Sequence, residues 1–310
     1  MSARHIHWGF VLLIALGLAA PVFGIYPTFL MKCWCFALFA CAFNLLLGYT
    51  GLLSFGHAAF LSAAAYTTGH VIKVWGFSPE LGLLAGMACA AAMGFVFGSL
   101  AIRRSGIYFA MITLALAQML YFVWVQMRFT GGEDGLQGVP RGMLFGLIDL
   151  SDNTNLYYTV FAIFLAGFLL IYRVIHSPFG QVLQAIRENE PRAISLGYDV
   201  DRYKLLVFVL SAALSGLAGA TKTVVFQLAS LTDAHWHMSG EVVLMTLLGG
   251  LGTVFGPVAG AFVIVGLQNG LADKVGSWVQ VIMGIIFVIC VLAFRRGIVG
   301  ELGRFLKRPL

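Results

Sequence analysis

Long apolar runs constrain this chain more than any other feature of its sequence. A helix needs about 20 apolar residues to span about 30 Å of hydrocarbon. Eight runs of that order lie near residues 8–26, 31–53, 57–75, 80–101, 106–127, 157–175, 203–226 and 276–294, and a ninth covers about 241–271. Only 10% of the residues are charged, whereas a typical soluble domain has about 25%. The sequence therefore predicts an all-α polytopic membrane protein in which residues 1–310 form one transmembrane domain.

Basic residues at the ends of the runs predict the orientation in the bilayer. The clusters are Arg103 with Arg104, the 173–204 segment, and the tail residues Arg295, Arg296, Arg304, Lys307 and Arg308. Placing all of them in the cytoplasm puts both termini inside and residues 128–156 and 227–240 outside. The net charge of +6 does not indicate a nucleic-acid partner, because the basic residues flank lipid-embedded runs and do not line one face. Lys222, near the end of a run, is expected to extend to the outer surface.

The run at 241–271 must cross twice or fold back, because it begins on the same side as the span near 276. Its middle reads LLGGLGTVFGPVAGAF, in which glycines and Pro257 break a helix. Broken helices at membrane depth are tolerated where they are buried in protein or line an aqueous cavity. We therefore expect about eight full spans plus a glycine-broken or re-entrant pair.

A similar stretch, NLLLGYTGLLSFGHAAF, occupies residues 44–60. Paired glycine-interrupted segments in two halves of a chain are typical of the substrate region of transporters. Close helix packing through small residues is the alternative, and both can hold together. Ionisable residues in spans, here His57 and Glu241, are candidates for function, although His57 could be a packing residue and Glu241 could cap a helix. The predicted pathway residues are Asn44, Gly48, Gly51, Ser54, His57, Thr113, Gln118, Glu241, Gly249 and Gly252.

The sequence contains no recognisable enzyme motif. The stretch GLAGATKT at 216–223 lacks the glycine that a phosphate-binding loop places before its lysine. His235 and His237 have no accompanying cysteine or carboxylate pattern, so no metal site is predicted. The five cysteines lie in apolar runs with no metal or disulfide spacing.

The long polar interruption at residues 176–204 predicts two short helices. Apolar residues at 179, 182, 183 and 186 form one face of the first helix. Pro191 suits the start of the second, and Gly197 suits the left-handed residue that ends it. The segment could be a solvated loop or lie on the membrane surface. Because the spans lack a chain of acidic residues and the sequence has no ATPase motif, docking of an external motor protein is the most economical inference.

Five blocks in order carry a family resemblance. They are GYTGLLSFGHAAF at 48–60, RRSGIYFAMITLALAQ at 103–118, TGGEDGL at 130–136, AIRENEPRAISLGYDVDRYKLLVFVLSAALSGLAGA at 185–220 and LMTLLGGLGTVFGPVAGAF at 244–262. The chain resembles the membrane permease of branched-chain amino acid ABC importers, of the LivM type.

The resemblance implies a single permease domain in the bacterial inner membrane, with a periplasmic loop at 128–156 and a cytoplasmic coupling loop at 176–204. The implied partners are a homologous second permease of the LivH type, two cytoplasmic ATPases that bind ATP-Mg, and a periplasmic substrate-binding protein; this chain itself would hold no cofactor. The residues assigned to ATPase coupling are Phe179, Val182, Leu183, Ile186, Arg187, Ala193, Ile194 and Gly197. Thr130, Gly131 and Gly132 are assigned to docking of the binding protein. Pro191 and Arg192 stand where the family's coupling loop usually has glutamate.

The substrate expected from the resemblance is a branched-chain or related neutral amino acid. Urea, short amides and aromatic acids are alternatives. An ion-coupled carrier, a passive channel and an intramembrane enzyme are the other classes considered, in decreasing order.

Overall fold

The computed structural model describes residues 3–21, 24, 26–293 and 297–305. Thirteen α-helices lie within these residues: α1 Ala3–Ala19, α2 Pro27–Thr50, α3 His57–Lys73, α4 Pro79–Ala101, α5 Ile107–Gln126, α6 Asn153–Ile175, α7 Pro178–Glu188, α8 Glu190–Ser195, α9 Val200–Phe226, α10 Trp236–Gly249, α11 Gly256–Val275, α12 Val279–Ala293 and α13 Gly297–Phe305. The basic tail residues Arg295, Arg296, Lys307 and Arg308 lie outside the described residues.

Five of the helices, α2, α4, α5, α6 and α9, are long and apolar enough to cross a membrane. The chain is therefore a multi-pass, almost entirely α-helical membrane protein, as its apolar runs predict. The described residues also include short 3₁₀ helices and four two-residue strands. Strand β1 Leu136–Gln137 pairs with β4 Leu228–Ala229, and β2 Met143–Leu144 pairs with β3 Ile148–Asp149, both antiparallel.

The two strand pairs lie at one end of the bundle, which we call the strand end. Helices α6 and α9 run from there to the opposite end, which carries α7 and α8 and which we call the α7–α8 end. The loop that sequence analysis placed at 128–156 is shorter, because Asp152 caps α6 by accepting from the Thr154 amide and the helix begins at Asn153. This cap supplies a partner for an amide that has none within the helix.

Helix α2 forms the centre of the bundle. It is the most buried of the five long helices, and α6, α9, α10 and α11 all pack against it. Helix α5 is the least buried of the five, and Met111, Met119 and Phe122 on it are exposed. A helix with such a face is covered by lipid or by another protein in the membrane.

Helices α3, α4 and α9 pack closely through small residues. A methyl group added at Gly219 would collide with the backbone of Leu61, and one added at Gly94 would come within 2.5 Å of the Ala212 Cβ. The stretch at 216–223 is therefore a helix-packing surface in the C-terminal half of α9.

Candidate functional site

The first glycine-rich break spans residues 51–56 between α2 and α3. Gly51 ends α2 in the left-handed region, with φ 75°, and its amide donates to the Leu47 carbonyl. Within the break, buried Ser54 accepts a hydrogen bond from the Gly56 amide at 3.1 Å. The predicted interruption of the apolar run is thus confirmed, and Gly51 and Ser54 shape the turn.

Side chains from neighbouring helices hold this first break. Thr113 of α5 is buried, and its Oγ1 accepts from the Phe55 amide at 3.1 Å. The fully buried His57 places Nε2 2.9 Å from the Ser211 hydroxyl, which donates to the Ala42 carbonyl. Three phenylalanine rings surround the imidazole, and its Nδ1 has no hydrogen-bond partner among the described residues. His57 and Thr113 therefore lie in the packed interior.

The second break spans residues 250–255 between α10 and α11, and like the first it is six residues long. Gly250 and Gly252 have φ values of 129° and 74°. Thr253 Oγ1 donates to the Gly250 carbonyl at 2.8 Å and accepts from the Gly256 amide at 3.1 Å. Gly249, the last residue of α10, is buried so closely against the start of α11 that a side chain there would overlap the Gly256 carbonyl.

Asn44 joins α2 to the second break. Its Nδ2 donates to the Thr253 carbonyl at 3.0 Å, and its Oδ1 accepts from the Gly252 amide at 3.0 Å. A Cβ atom on Gly48 would lie 2.8 Å from the Gly252 nitrogen. The glycine at 48 therefore permits the close approach of the second break to α2.

The side chain of Arg187 on α7 also contacts the end of α2 beside the second break. Its guanidinium donates to the Gly48 carbonyl in the last turn of α2. A cavity of about 300 Å³ lies alongside; its lining residues are Tyr49, Ile175, His176, Gln181, Gln184, Gly252, Thr253 and Val254. The segment assigned to ATPase coupling and the segments assigned to the pathway thus meet at the α7–α8 end.

The predicted apolar face of α7 packs against its own chain. Leu183 is fully buried, and Ile186 clusters with Ala193 and Val200. Half-buried Val182 packs on that cluster, and half-buried Phe179 stacks on Tyr203 with ring centroids 5.5 Å apart.

The outward apolar surface of this segment lies on α8 and the turn after it. Ile194 is 57% exposed, and Leu196 is 67% exposed. Gly197 has φ 88° in the turn that ends the helix, as predicted. The sequence analysis assigned Ile194 and Gly197 to coupling but did not single out Leu196. The position of this apolar residue, directly before the glycine that ends the helix, is the signal that could have identified it.

At the strand end, Glu241 lines a cavity of about 420 Å³. The other lining residues are Tyr121, Leu231, Thr232, His235, His237 and Met238. The carboxylate makes no hydrogen bond or ion pair with the described residues, and neither does the ammonium of nearby Lys32 on α2, with which it interacts electrostatically. Gln118, the remaining predicted pathway residue, is half-buried on α5.

An ion pair lies beside this cavity and was not anticipated. Lys222 Nζ is 2.5 Å from Asp233 Oδ1, and the Asp233 residue is only 3% exposed. The expectation that Lys222 extends to the surface is therefore wrong, because a carboxylate inside the protein supplies its counter-charge. Among the described residues, no group of three or more histidine, cysteine, aspartate or glutamate side chains could hold a metal ion.

The residues assigned to binding-protein docking form a tight turn at the strand end. Thr130 is buried, and its hydroxyl donates to the Trp124 and Met127 carbonyls at 2.5 and 2.7 Å. Gly131 and Gly132 adopt positive φ values of 80° and 63°. These residues shape the loop. Its most exposed apolar side chains among the described residues are Phe145 and Leu147, next to β2 and β3. Nearby, the Ser151 amide and hydroxyl lower the pKa of the exposed Asp149 carboxyl by hydrogen bonding.

Long apolar helices with two glycine-broken segments, the second of which packs against α2 at the α7–α8 end, are typical of a polytopic membrane protein of the transporter class. Residues 25–291 match the family described as the permease component of branched-chain amino acid transport systems. The chain belongs to this family.

Individual relatives of the chain are also named as transport permeases. The chain is 28% identical to the high-affinity branched-chain amino acid transport system permease protein LivM of Escherichia coli and 29% identical to that of Salmonella typhimurium, in each case over 74% of this chain and 60% of the relative. It is 25% identical to the probable branched-chain amino acid transport permease protein LivH of Methanocaldococcus jannaschii over 84% of this chain and 87% of the relative. The chain thus spans about 60% of the length of the LivM proteins. No solved structure matches the chain significantly.

Proposed function

We propose that this chain is the LivM-type permease subunit of an ATP-driven importer of branched-chain or related neutral amino acids. The family match over residues 25–291 carries the proposal. The chain would form half of a translocation pathway, with a homologous LivH-type permease forming the other half. Similarity to both LivM and LivH relatives supports a pairing of homologous subunits.

The α7–α8 end would face the cytoplasm of a bacterial inner membrane. Eight helices, α1 to α6, α9 and α12, would cross fully, and α10 with α11 would form the glycine-broken pair. Both termini would then be cytoplasmic. Exposed Arg187, Arg192 and Arg202 at the α7–α8 end support this orientation.

Two partner ATPases would bind ATP-Mg and supply the energy. The surface of this chain that fits them is the exposed apolar patch formed by Ile194 and Leu196, since both side chains protrude from the α7–α8 end. Leu183, Ile186 and Ala193 would contribute indirectly, because their packing fixes α7 and α8 to each other and to α9.

The substrate route would open at the strand end. Glu241 places a carboxylate in the 420 Å³ cavity that has no hydrogen bond or ion pair with the described residues, which suits the ammonium group of an amino acid. A periplasmic binding protein would deliver the substrate to the loop between α5 and α6, where Phe145 and Leu147 are exposed. A neutral amide or urea has no such ammonium group, so this arrangement favours an amino acid.

The first test is co-purification from native membranes in mild detergent. We expect the wild-type chain to recover a protein that mass spectrometry identifies by its nucleotide-binding motifs as an ATPase. Ile194→Asp combined with Leu196→Asp should abolish recovery, whereas the matched control Leu147→Asp, at the opposite end, should retain it. Absence of an ATPase with the wild-type chain would contradict the proposal.

The second test is uptake by the purified complex in proteoliposomes with its binding protein. We expect ATP-dependent accumulation of leucine, isoleucine or valine. Accumulation of only urea, amides or aromatic acids would overturn the substrate assignment, and uptake without ATP would favour an ion-coupled carrier.

A further inference from the structure

Three separate elements meet at one point near the end of α2. Arg187 comes from α7, Gly48 belongs to the last turn of α2, and Gly252 and Thr253 belong to the second break. Asn44 and Gly252 are 208 residues apart in the sequence, and Arg187 and Gly48 are 139 residues apart. Such long-range hydrogen bonds are set by the fold and not by local geometry.

The bond from Arg187 uses a carbonyl that α2 leaves open. The last four carbonyls of a helix have no amide partner within it, and Gly48 lies in that turn. A guanidinium at this position also interacts favourably with the negative end of the helix dipole. The Arg187 side chain donates a hydrogen bond to the Gly48 carbonyl and forms no ion pair with any of the described residues.

The Asn44 side chain is matched to the backbone of the second break. It uses both a donor and an acceptor at 3.0 Å, which a carboxylate or an apolar side chain of the same size cannot reproduce. Asn44 is only 3% exposed. Its position indicates a structural connection between α2 and the second break, and not a surface that substrate touches in this conformation.

The glycines allow these groups to converge. A Cβ atom on Gly252 would lie 3.2 Å from Arg187 Nη1 and 3.3 Å from the Gly48 carbonyl oxygen. Gly252 also adopts φ 74°, which side-chain-bearing residues rarely adopt. The backbone of the second break thus lies directly against the Arg187 guanidinium.

We propose that Asn44 and Arg187 are positioning residues that couple movement of α7 to the second break through the last turn of α2. This inference rests on the proposed function, because it assigns a mechanical role within an ATP-driven permease. When the ATPases displace α7, the Arg187 bond moves the end of α2, and Asn44 carries the movement to residues 252 and 253. We call this set of hydrogen bonds the Asn44–Arg187 link.

The test measures substrate transported per ATP hydrolysed by the complete reconstituted complex. Asn44→Leu and Arg187→Gln should each leave the ATPases bound and hydrolysing ATP while lowering uptake per ATP about tenfold, which corresponds to about 1.4 kcal/mol of coupling. Arg187→Lys should recover part of the loss, because it retains a charged donor. Arg173→Gln, which changes an exposed arginine on α6 outside residues 176–204, is the matched control and should leave the ratio unchanged.

The double variant shows whether the two residues act as one unit. If they do, Asn44→Leu with Arg187→Gln should be no worse than either single variant, whereas independent effects would multiply. An unchanged ratio in the single variants, a multiplied loss in the double variant, or a proportional fall in uptake and hydrolysis would overturn the inference. A wild-type complex without a bound ATPase or ATP-dependent uptake would instead show that the proposed function fails.

Discussion

The two glycine breaks are equally long but are held in different ways. The first, at residues 51–56, receives a hydrogen bond from Thr113 of α5 and is followed by His57, which is anchored to Ser211 of α9. The second, at residues 250–255, is held by hydrogen bonds from Thr253 within its own turn and by Asn44 of α2. Leu52, Ser54 and Gly56 are buried in the first break, whereas only Gly250 is buried in the second.

This difference indicates which break can move. A segment with few buried contacts and partly exposed hydrogen bonds opens at lower cost than one enclosed by its neighbours. The second break is also connected to α7 through α2, because Asn44 binds the second break and Gly48 binds Arg187 of α7. We therefore interpret the first break as a fixed part of the bundle and the second as the part that responds to the coupling segment.

The largest effect is expected from Gly48→Val, which places a branched side chain where the last turn of α2 meets the second break. The new side chain would overlap Asn44 and the Gly252 amide, so we expect the free energy of unfolding to fall by about 3 kcal/mol or more. Thermal unfolding of the solubilised chain measures this. Gly240→Val is the control, because a Cβ atom there meets nothing within 4 Å; equal losses in both variants would show that the contact between α2 and the second break does not matter.

An intermediate effect is expected from Thr113→Val in the first break. The change keeps the shape of the side chain but leaves the Phe55 amide without its acceptor. An unsatisfied buried donor costs about 1–3 kcal/mol. The same thermal measurement should show this loss, and unchanged stability would contradict the view that α5 holds the first break.

The smallest effect is expected from Thr253→Val in the second break. It removes two hydrogen bonds within the turn, but Thr253 is only half-buried and borders the 300 Å³ cavity, so water can replace them. We expect a loss of about 0.5–1 kcal/mol. A larger loss than that of Thr113→Val would reverse the order of rigidity between the two breaks.

The sequence predicts the elements of this fold better than their contacts. Glycine and proline positions locate both breaks and the start and end of α8, because these residues act on local backbone geometry. Amphipathicity identifies the apolar face of α7, yet it does not say whether that face packs on a partner or on its own chain. Leu183 and Ile186 are buried within this chain, and the outward patch at Leu196 was missed.

Contacts between residues that are distant in the sequence were not predicted either, because a sequence pattern does not show which elements pack together. Asn44, Gly48 and Arg187 were each singled out, but as members of two separate groups. Only the packing of α2 against α10, α11 and α7 joins these groups. The Lys222–Asp233 ion pair was likewise hidden, because each residue alone resembles an ordinary charge at the end of a span.

Hydrogen exchange of the wild-type complex, with and without ATP and vanadate, tests the central claim most directly. Mass spectrometry of peptides covering residues 51–56 and 250–255 compares the two breaks in one sample. We predict that amide protection changes with nucleotide in 250–255, including the Gly252 amide bound to Asn44, and stays constant in 51–56. Equal changes in both breaks, or no change in 250–255, would contradict the account.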